Sequence, residues 1–410
     1  MGQSSCRKAT AEPSDAAAAW CESHCRRGPV MIRRRLLAGA CAIGVPWFRA
    51  HATGTDAISS DSTIVLGQSA SFSGGLGDIV KEFNAGAQLH FDELNARGGI
   101  HGRRIQLVTL NDDMAPAKAV ANCRALLAEH RAFAFFGCVG SITVAAAAPV
   151  FRESNAPLLG HLAVGDSARQ AARGAAYFVR ATYGREAEKL VEHLTTIGIS
   201  QIAVATLDNS TGADLLASVR KAVTARGGSG ADVASAAIKS DGSNIVAVGR
   251  SLAAARPQAL IVFFSGPPVA ELMKTMWLEG SNPSFYGISV MAGELVARSL
   301  GGQFRGLVVS QVMPYPWAPV EPTAVAFRKL CEQHKVRIGY ASYEGYVNAL
   351  VAAEGLRRTG RDARRSTLHA AMQAMKVRLA GINFDFTQGD PTGSSFVELV
   401  RVSSEGRFVR

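Results

Sequence analysis

The chain has 410 residues, 48% hydrophobic and 19% charged, a globular composition too long for one comfortable core, so two lobes are expected. Its formal charge of +11 raises the question of a nucleic-acid partner, but residues 1–52 hold eight Lys/Arg against three Asp/Glu. The remainder, 36 against 30, is spread without basic runs or interleaved aromatics, so no DNA or RNA partner is expected.

The N-terminus accounts for the excess. Met31-Ile32-Arg33-Arg34-Arg35 reads as a basic leader, residues 36–48 as a short apolar stretch, and Ala50-His51-Ala52 as a small-x-small cleavage signal. The apolar stretch, broken by Pro46, is too short to span a bilayer, so cleavage after Ala52 would release a soluble exported protein. The consecutive arginines leave a twin-arginine route open beside the general secretory one. Cys41 suggests a lipoprotein, but Ala38 stands where the usual lipobox leucine would be. Residues 1–30 precede a complete export signal, which puts the expected start of translation at Met31 and makes them an upstream extension. Cys21 and Cys25 lie in a cluster with no second ligand pair at metal spacing, so no metal or cofactor is expected. Beyond the signal only Cys123, Cys138 and Cys331 remain, an odd count that permits at most one bridge, and Cys123 with Cys138 is the only sequence-near pair.

Taken in order, residues 63–69 read as a strand, residues 70–77 as a loop, and Val80, Phe83, Ala87, Phe91 and Leu94 as the buried face of a helix stopped by Gly98-Gly99. Gly75-Leu76-Gly77 hints at a dinucleotide loop, but Val80 replaces the third glycine and the loop is too long for that turn. A strand at 105–111 and a helix from Pro116 to about Glu129 follow. Residues 133–150 then form an uncharged strand, glycine-hinged loop and helix, with Gly137 and Gly140 at the turn and Ser141 at the expected N-cap. The N–H groups of a helix start at the carboxyl end of a strand make a site for a carboxylate or phosphate. The other readings of this corner are an ordinary βα turn with a structural cap, and a membrane span over 132–151, which two glycines, a serine, a threonine and a proline interrupt.

A fourth strand at 157–160 completes the first run. The alternation restarts with strands at 178–180, 201–205, 233–238, 259–264, 284–289 and 306–312. Helices separate them at 185–197, 212–225, 244–255, 269–279 and 293–300. Such alternation implies parallel sheets wrapped by helices, and two runs of it imply an α/β fold of two doubly wound lobes. Pro314-Tyr315-Pro316-Trp317 marks a crossing, helices follow at 322–334, 343–359 and 367–375, and the end turns to β at 382–386 and 396–402.

In this order and spacing the segments resemble a known family. Residues 63–111, with Glu93-Leu94-Asn95-Ala96-Arg97-Gly98-Gly99-Ile100-His101-Gly102-Arg103-Arg104-Ile105, look like the opening of the solute-binding proteins of branched-chain amino-acid ABC transporters. The corner at 137–143, Arg180-Ala181-Thr182-Tyr183 and the strand at 308–314 match as well, and most of residues 63–402 follow the pattern. The resemblance implies a type I periplasmic binding protein, two Rossmann-like lobes joined by three strands and closing over a small ligand. The expected lobes are residues 63–181 with 313–378 and residues 182–312 with 379–410, behind a signal peptide at 31–52.

The resemblance also implies a site. Ser141 and the backbone of Val139 and Gly140 match the loop that holds a ligand carboxylate, and Ser69, Ser71 and Phe72 match the first-strand loop bordering the cleft. Leu162, Ala163 and Val164 stand where relatives usually offer a small-residue turn with a threonine hydroxyl. Ser289 stands where leucine-binding members place a glutamate for the ammonium, and Thr211 where many place an aromatic. The carboxylate half is kept and the amine half is not visible, although Asp166, Asp208 and Glu294 lie near the expected cleft loops. Both an amino acid and a carboxylate lacking the α-ammonium stay open as ligands.

The expected function is therefore a monomeric, non-catalytic periplasmic protein that delivers a small organic solute to an inner-membrane ABC permease. An enzyme would need a motif such as HExxH, GxSxG or a Walker loop, none of which is present. His161, near the cleft, reads as a wall residue, since no carboxylate can be assigned to orient it as a base. The alternative is a ligand-sensing protein of the same fold acting in signalling, which would call for a transmembrane helix and a further module after the lobes.

Overall fold

The computed structural model describes residues 62–410. The start at Met31, the export signal, the cleavage after Ala52, the cysteines at 21 and 25, and Cys41 lie outside the described residues.

The first run of the chain builds a five-stranded parallel sheet from β1 (Thr63–Ala70), β2 (Arg104–Asn111), β3 (Ala134–Val139), β4 (Leu158–Leu162) and β5 (Ala176–Tyr177), in the order β2-β1-β3-β4-β5. Its helices are α1 (Gly77–Ala96), α2 (Pro116–Ala128), α3 (Ser141–Glu153) and α4 (Asp166–Ala171). All six residues of β3 and all five of β4 are buried. These strands read as continuous apolar runs because helices cover both faces of a parallel sheet.

The second run forms a seven-stranded sheet, β14-β13-β10-β9-β8-β6-β7. Its parallel part comprises β6 (Ile202–Leu207), β7 (Ala234–Ile238), β8 (Ala259–Val262), β9 (Ser284–Gly287) and β10 (Leu307–Gln311). Between them lie α5 (Tyr183–Thr196), α6 (Ser210–Ala225), α7 (Ile245–Ala254), α8 (Pro267–Leu278) and α9 (Gly293–Leu300). The edge is antiparallel, β13 (Glu398–Val402) on β10 and β14 (Phe408–Val409) on β13. Between β10 and β13 the chain makes α10 (Pro322–His334), α11 (Tyr340–Arg358), α12 (Arg365–Gln373) and the hairpin β11 (Lys376–Leu379) and β12 (Ile382–Asp385).

Helix α11 returns to the first sheet and packs on α1 with almost no space between the backbones. A Cβ added at Gly86 would lie 1.7 Å from the Ser342 carbonyl oxygen, and one at Gly345 would lie 1.8 Å from that of Phe83. Glycine is required at both positions by this approach.

Three expectations change. The strand expected at 178–180 ends at Tyr177, and Phe178 makes only a single bridge to Thr392. Beyond it the chain leaves the sheet, because Arg180 turns into buried ion pairs rather than a ladder. The expected N-cap at Ser141 moves one place: Gly140, with φ of 90°, is the cap and Ser141 the first helical residue. The left-handed region favours glycine there. Helix α4, strand β11 and strand β14 were not expected; each is short, and their residues carry little periodicity of their own.

Candidate ligand cleft

The expected residues stand at or just beyond the carboxyl ends of β1, β3, β4, β6 and β9, the usual place for ligands on open α/β sheets; the structure brings Ser141 and Thr211 together at Gly165 and places Leu162 and Ser289 on one cavity. At the start of α3, Val144 N–H is the first to find an intrahelical acceptor, Gly140 O at 3.1 Å, so the N–H groups of Ser141, Ile142 and Thr143 form the electropositive end of the helix. Ser141 Oγ accepts the N–H of Gly165 at 2.9 Å, which leaves its own proton to donate. Gly165 is also where α6 arrives: a Cβ there would lie 2.9 Å from Thr211 Cγ2 and 3.2 Å from Ser141 Oγ. Thr211 lies in the first turn of α6, capped by Asn209, whose side chain accepts the Gly212 N–H at 3.0 Å. Two helix starts thus meet at one glycine.

Several expected residues are already committed. Gly140 N–H donates to Leu162 O at 3.1 Å, and Val139 O accepts from Thr143 Oγ1, so their peptide groups join β3 to β4 and to α3. Ser69 Oγ donates to the buried Asp112 carboxylate at 2.8 Å, where burial raises the pKa despite that bond. Ser71 Oγ donates to Ser73 O at 3.3 Å; Phe72 is half-buried beside it. Leu162 and Ala163 are buried at the end of β4, Ala163 with φ of 55°. Val164 is fully buried in the apolar cluster that holds Val144 of α3 and Ala168 of α4. His161 is likewise no surface wall: it is fully buried, edge-on to Phe178 at 4.6 Å, and neither ring nitrogen has a hydrogen-bond partner. Burial, then Arg169 and Arg180, keep its pKa well below the usual value.

Ser289 belongs to a buried charge cluster that the residue pattern did not reveal. Its N–H and Oγ donate to the two oxygens of Glu186, at 2.8 and 2.9 Å, and its Oγ accepts from Arg180. Ser310 Oγ adds a third donor to Glu186 at 2.6 Å. Arg180 reaches Glu186 at 3.2 Å and Glu344 of α11 at 3.3 Å. Burial works against the charge of Arg180, but Glu344 and Glu186 outweigh it and hold the guanidinium above its usual range; burial raises the pKa of Glu344. A cavity of about 50 Å³ adjoins the cluster, lined among others by Ile79, Leu162, Ser289, Gln311, Tyr340 and Glu344. At its rim Arg337 joins Glu82 of α1 at 2.5 Å to Glu294 of α9 at 2.9 Å. The two other acidic candidates go elsewhere. Asp166 accepts the Tyr183 and Gly184 N–H groups at the start of α5, at 3.1 and 2.9 Å, and Asp208 is exposed.

The profile of one family, described as periplasmic binding protein, matches residues 63–407. The chain belongs to that family. Among solved structures, this family member superposes on a possible leucine/isoleucine/valine-binding protein from Rhodopirellula baltica SH 1 with TM-score 0.77 and 22% identity, over 85% of this chain and 97% of the other. A substrate-binding periplasmic protein from Ralstonia solanacearum gives TM-score 0.77 and 27% identity, over 84% and 99%. A fatty acid ABC transporter substrate-binding protein from Thermomonospora curvata gives TM-score 0.74 and 19% identity, over 86% and 92%. No curated protein matches the chain. The parallel sheets of these type I periplasmic binding proteins agree with the α/β lobes expected from the alternation.

Proposed function

We propose that this periplasmic binding protein is the substrate-binding component of an ABC importer for a small organic solute, an amino acid or carboxylate. It would be exported to the periplasm by a cleaved signal and would deliver its solute as a monomer to an inner-membrane permease without chemical change. The lobes in this reading are residues 63–181 with 313–378 and residues 182–312 with 379–410. The observation that carries it is the convergence of Ser141 at the start of α3 with Thr211 at the start of α6 across Gly165. A hydroxyl proton and three helix-start N–H groups are arranged there for an anion. In this reading Ser69, Ser71, Phe72, Leu162, Ala163 and Ser289 shape the surrounding walls, while Val139, Gly140 and the buried Val164 support the start of α3 from behind. One solved relative is named a possible leucine/isoleucine/valine-binding protein and another a fatty acid ABC transporter substrate-binding protein; the solutes in those names share a carboxylate. Thermal-shift screening against amino acids, aromatic acids and aliphatic acids tests the reading, because a ligand at 100 times its Kd stabilises the folded state by about 2.7 kcal/mol. If no carboxylate raises the melting temperature while neutral solutes do, the anion site is not the anchor.

A further inference from the structure

Cys123 and Cys138 meet in the layer between α2 and the first sheet. Both thiols are free and buried, and both belong to the apolar cluster that also holds Leu126, Phe135 and Val144. Two contacts set the level of α2 on the sheet. Asn122 Nδ2 donates to Ser69 Oγ at 3.3 Å, and a Cβ added at Gly67 would lie 3.1 Å from Leu126, so Cys123 lies over the carboxyl half of β1. On the neighbouring strand Phe135 is the register partner of Gly67, which brings Cys138, three residues on, level with the end of β1. The neighbouring Cys138 thiol, burial and the charge of Asp112 raise the pKa of Cys123 far above the usual range. A thiol in that state is protonated and a poor nucleophile. Cys331 on α10 is equally buried in the other apolar cluster and serves as an internal control.

We infer that Cys123 and Cys138 are a disulfide site, oxidised while the chain folds and closed to exchange once α2 has packed on the sheet. The oxidant is a small-molecule or protein disulfide. In the unfolded chain one cysteine thiolate attacks it, expelling the first donor thiolate and forming a mixed disulfide; the second cysteine thiolate attacks that bond and expels the other. Two protons and two electrons leave the cysteine pair, and the donor disulfide becomes two thiols. The bond would close a loop of about 15 residues and tie α2 to the strand that leads into Gly140 and Ser141. It depends on the positions of the two thiols and not on which solute is bound.

The full chain is unfolded, reduced, and refolded either with glutathione disulfide or with a reductant; remaining thiols are alkylated in denaturant and the peptides mapped by mass spectrometry. The expected oxidised product carries Cys123 and Cys138 in one linked pair, two hydrogens lighter than the reduced peptides, with Cys331 alkylated. It melts about 5 °C above the reduced form, a difference that Cys138→Ser removes. Reduced protein that has already folded keeps both thiols when glutathione disulfide is added. Alkylation of both cysteines after oxidative refolding, or pairing of either with a different cysteine, overturns the site. Ready oxidation of the folded reduced form overturns the order of events.

Discussion

The N–H of Gly165 donates to Ser141 Oγ at 2.9 Å, so the serine hydroxyl is an acceptor toward the β4–α4 loop and a donor toward whatever faces the start of α3. This double use separates an anchor from a simple cap. Ser141→Ala is expected to weaken binding of a carboxylate by about 1.5–3 kcal/mol, the range for a hydrogen bond to a charged group. The lost bond from Gly165 should lower stability by about 1 kcal/mol. Calorimetry and urea unfolding on the same variant measure both. Unchanged affinity with the stability loss alone would reduce Ser141 to a structural contact.

Arg180 is shared by Glu186 and Glu344, all three buried. Removing the guanidinium alone leaves two carboxylates in a dry site, so Arg180→Met should cost about 3–5 kcal/mol in unfolding free energy. Adding Glu186→Gln and Glu344→Gln should recover part of that loss, because the penalty lies in the unpaired charges. If the triple variant is no more stable than Arg180→Met, packing and not charge explains the cluster.

His161 has a depressed pKa from burial and two positive neighbours. For such a group the unfolded chain takes up the proton first. Its stabilising contribution is complete above the unfolded pKa of about 6.5 and is lost as pH falls below that value. In His161→Leu this part of the acid sensitivity should disappear, so stability falls less between about pH 6.5 and 5 than in the parent. At neutral pH the apolar replacement of an unpartnered ring should be neutral or stabilising by about 1 kcal/mol. Parallel pH profiles for the two proteins would contradict the assignment.

Gly86 and the Ser342 carbonyl oxygen leave no room for a methyl group between α1 and α11. Gly86→Ala would ordinarily favour a helix, yet here it should destabilise by about 1–3 kcal/mol or more by forcing the helices apart. Thermal unfolding of Gly86→Ala beside Gly98→Ala separates this steric cost from the cost of φ alone, since Gly98 has φ of 96° and open space around it.

Apart from the short helix α4 and the misplaced strand β5, the order of strands and helices through residue 312 was legible because each carries a local signal: apolar runs for buried parallel strands, spaced apolar faces for helices, glycine and proline between them. Gly137, Gly140 and Ser141 were legible as a turn into a helix for the same reason, and only the cap itself shifted by one residue. What the sequence could not supply were relationships that depend on distance in space. Arg180 and Glu344 are 164 positions apart, and no local pattern says that an arginine between β5 and α5 will meet a carboxylate on a helix from the far end of the chain. The same holds for Ser289, matched to a ligand position by its place in the chain but found bound to Glu186 and Arg180, and for Arg337 joining α1 to α9. Burial decided the roles of Val164 and His161, because strand alternation tells which side chains share a face but not which face meets the cleft. The chain's own pattern thus determined the fold class and the strand–turn–helix corner that ends in Gly140 and Ser141, whereas the tertiary structure decided which polar side chains are consumed in holding the sheets together, because those contacts join residues far apart in the chain.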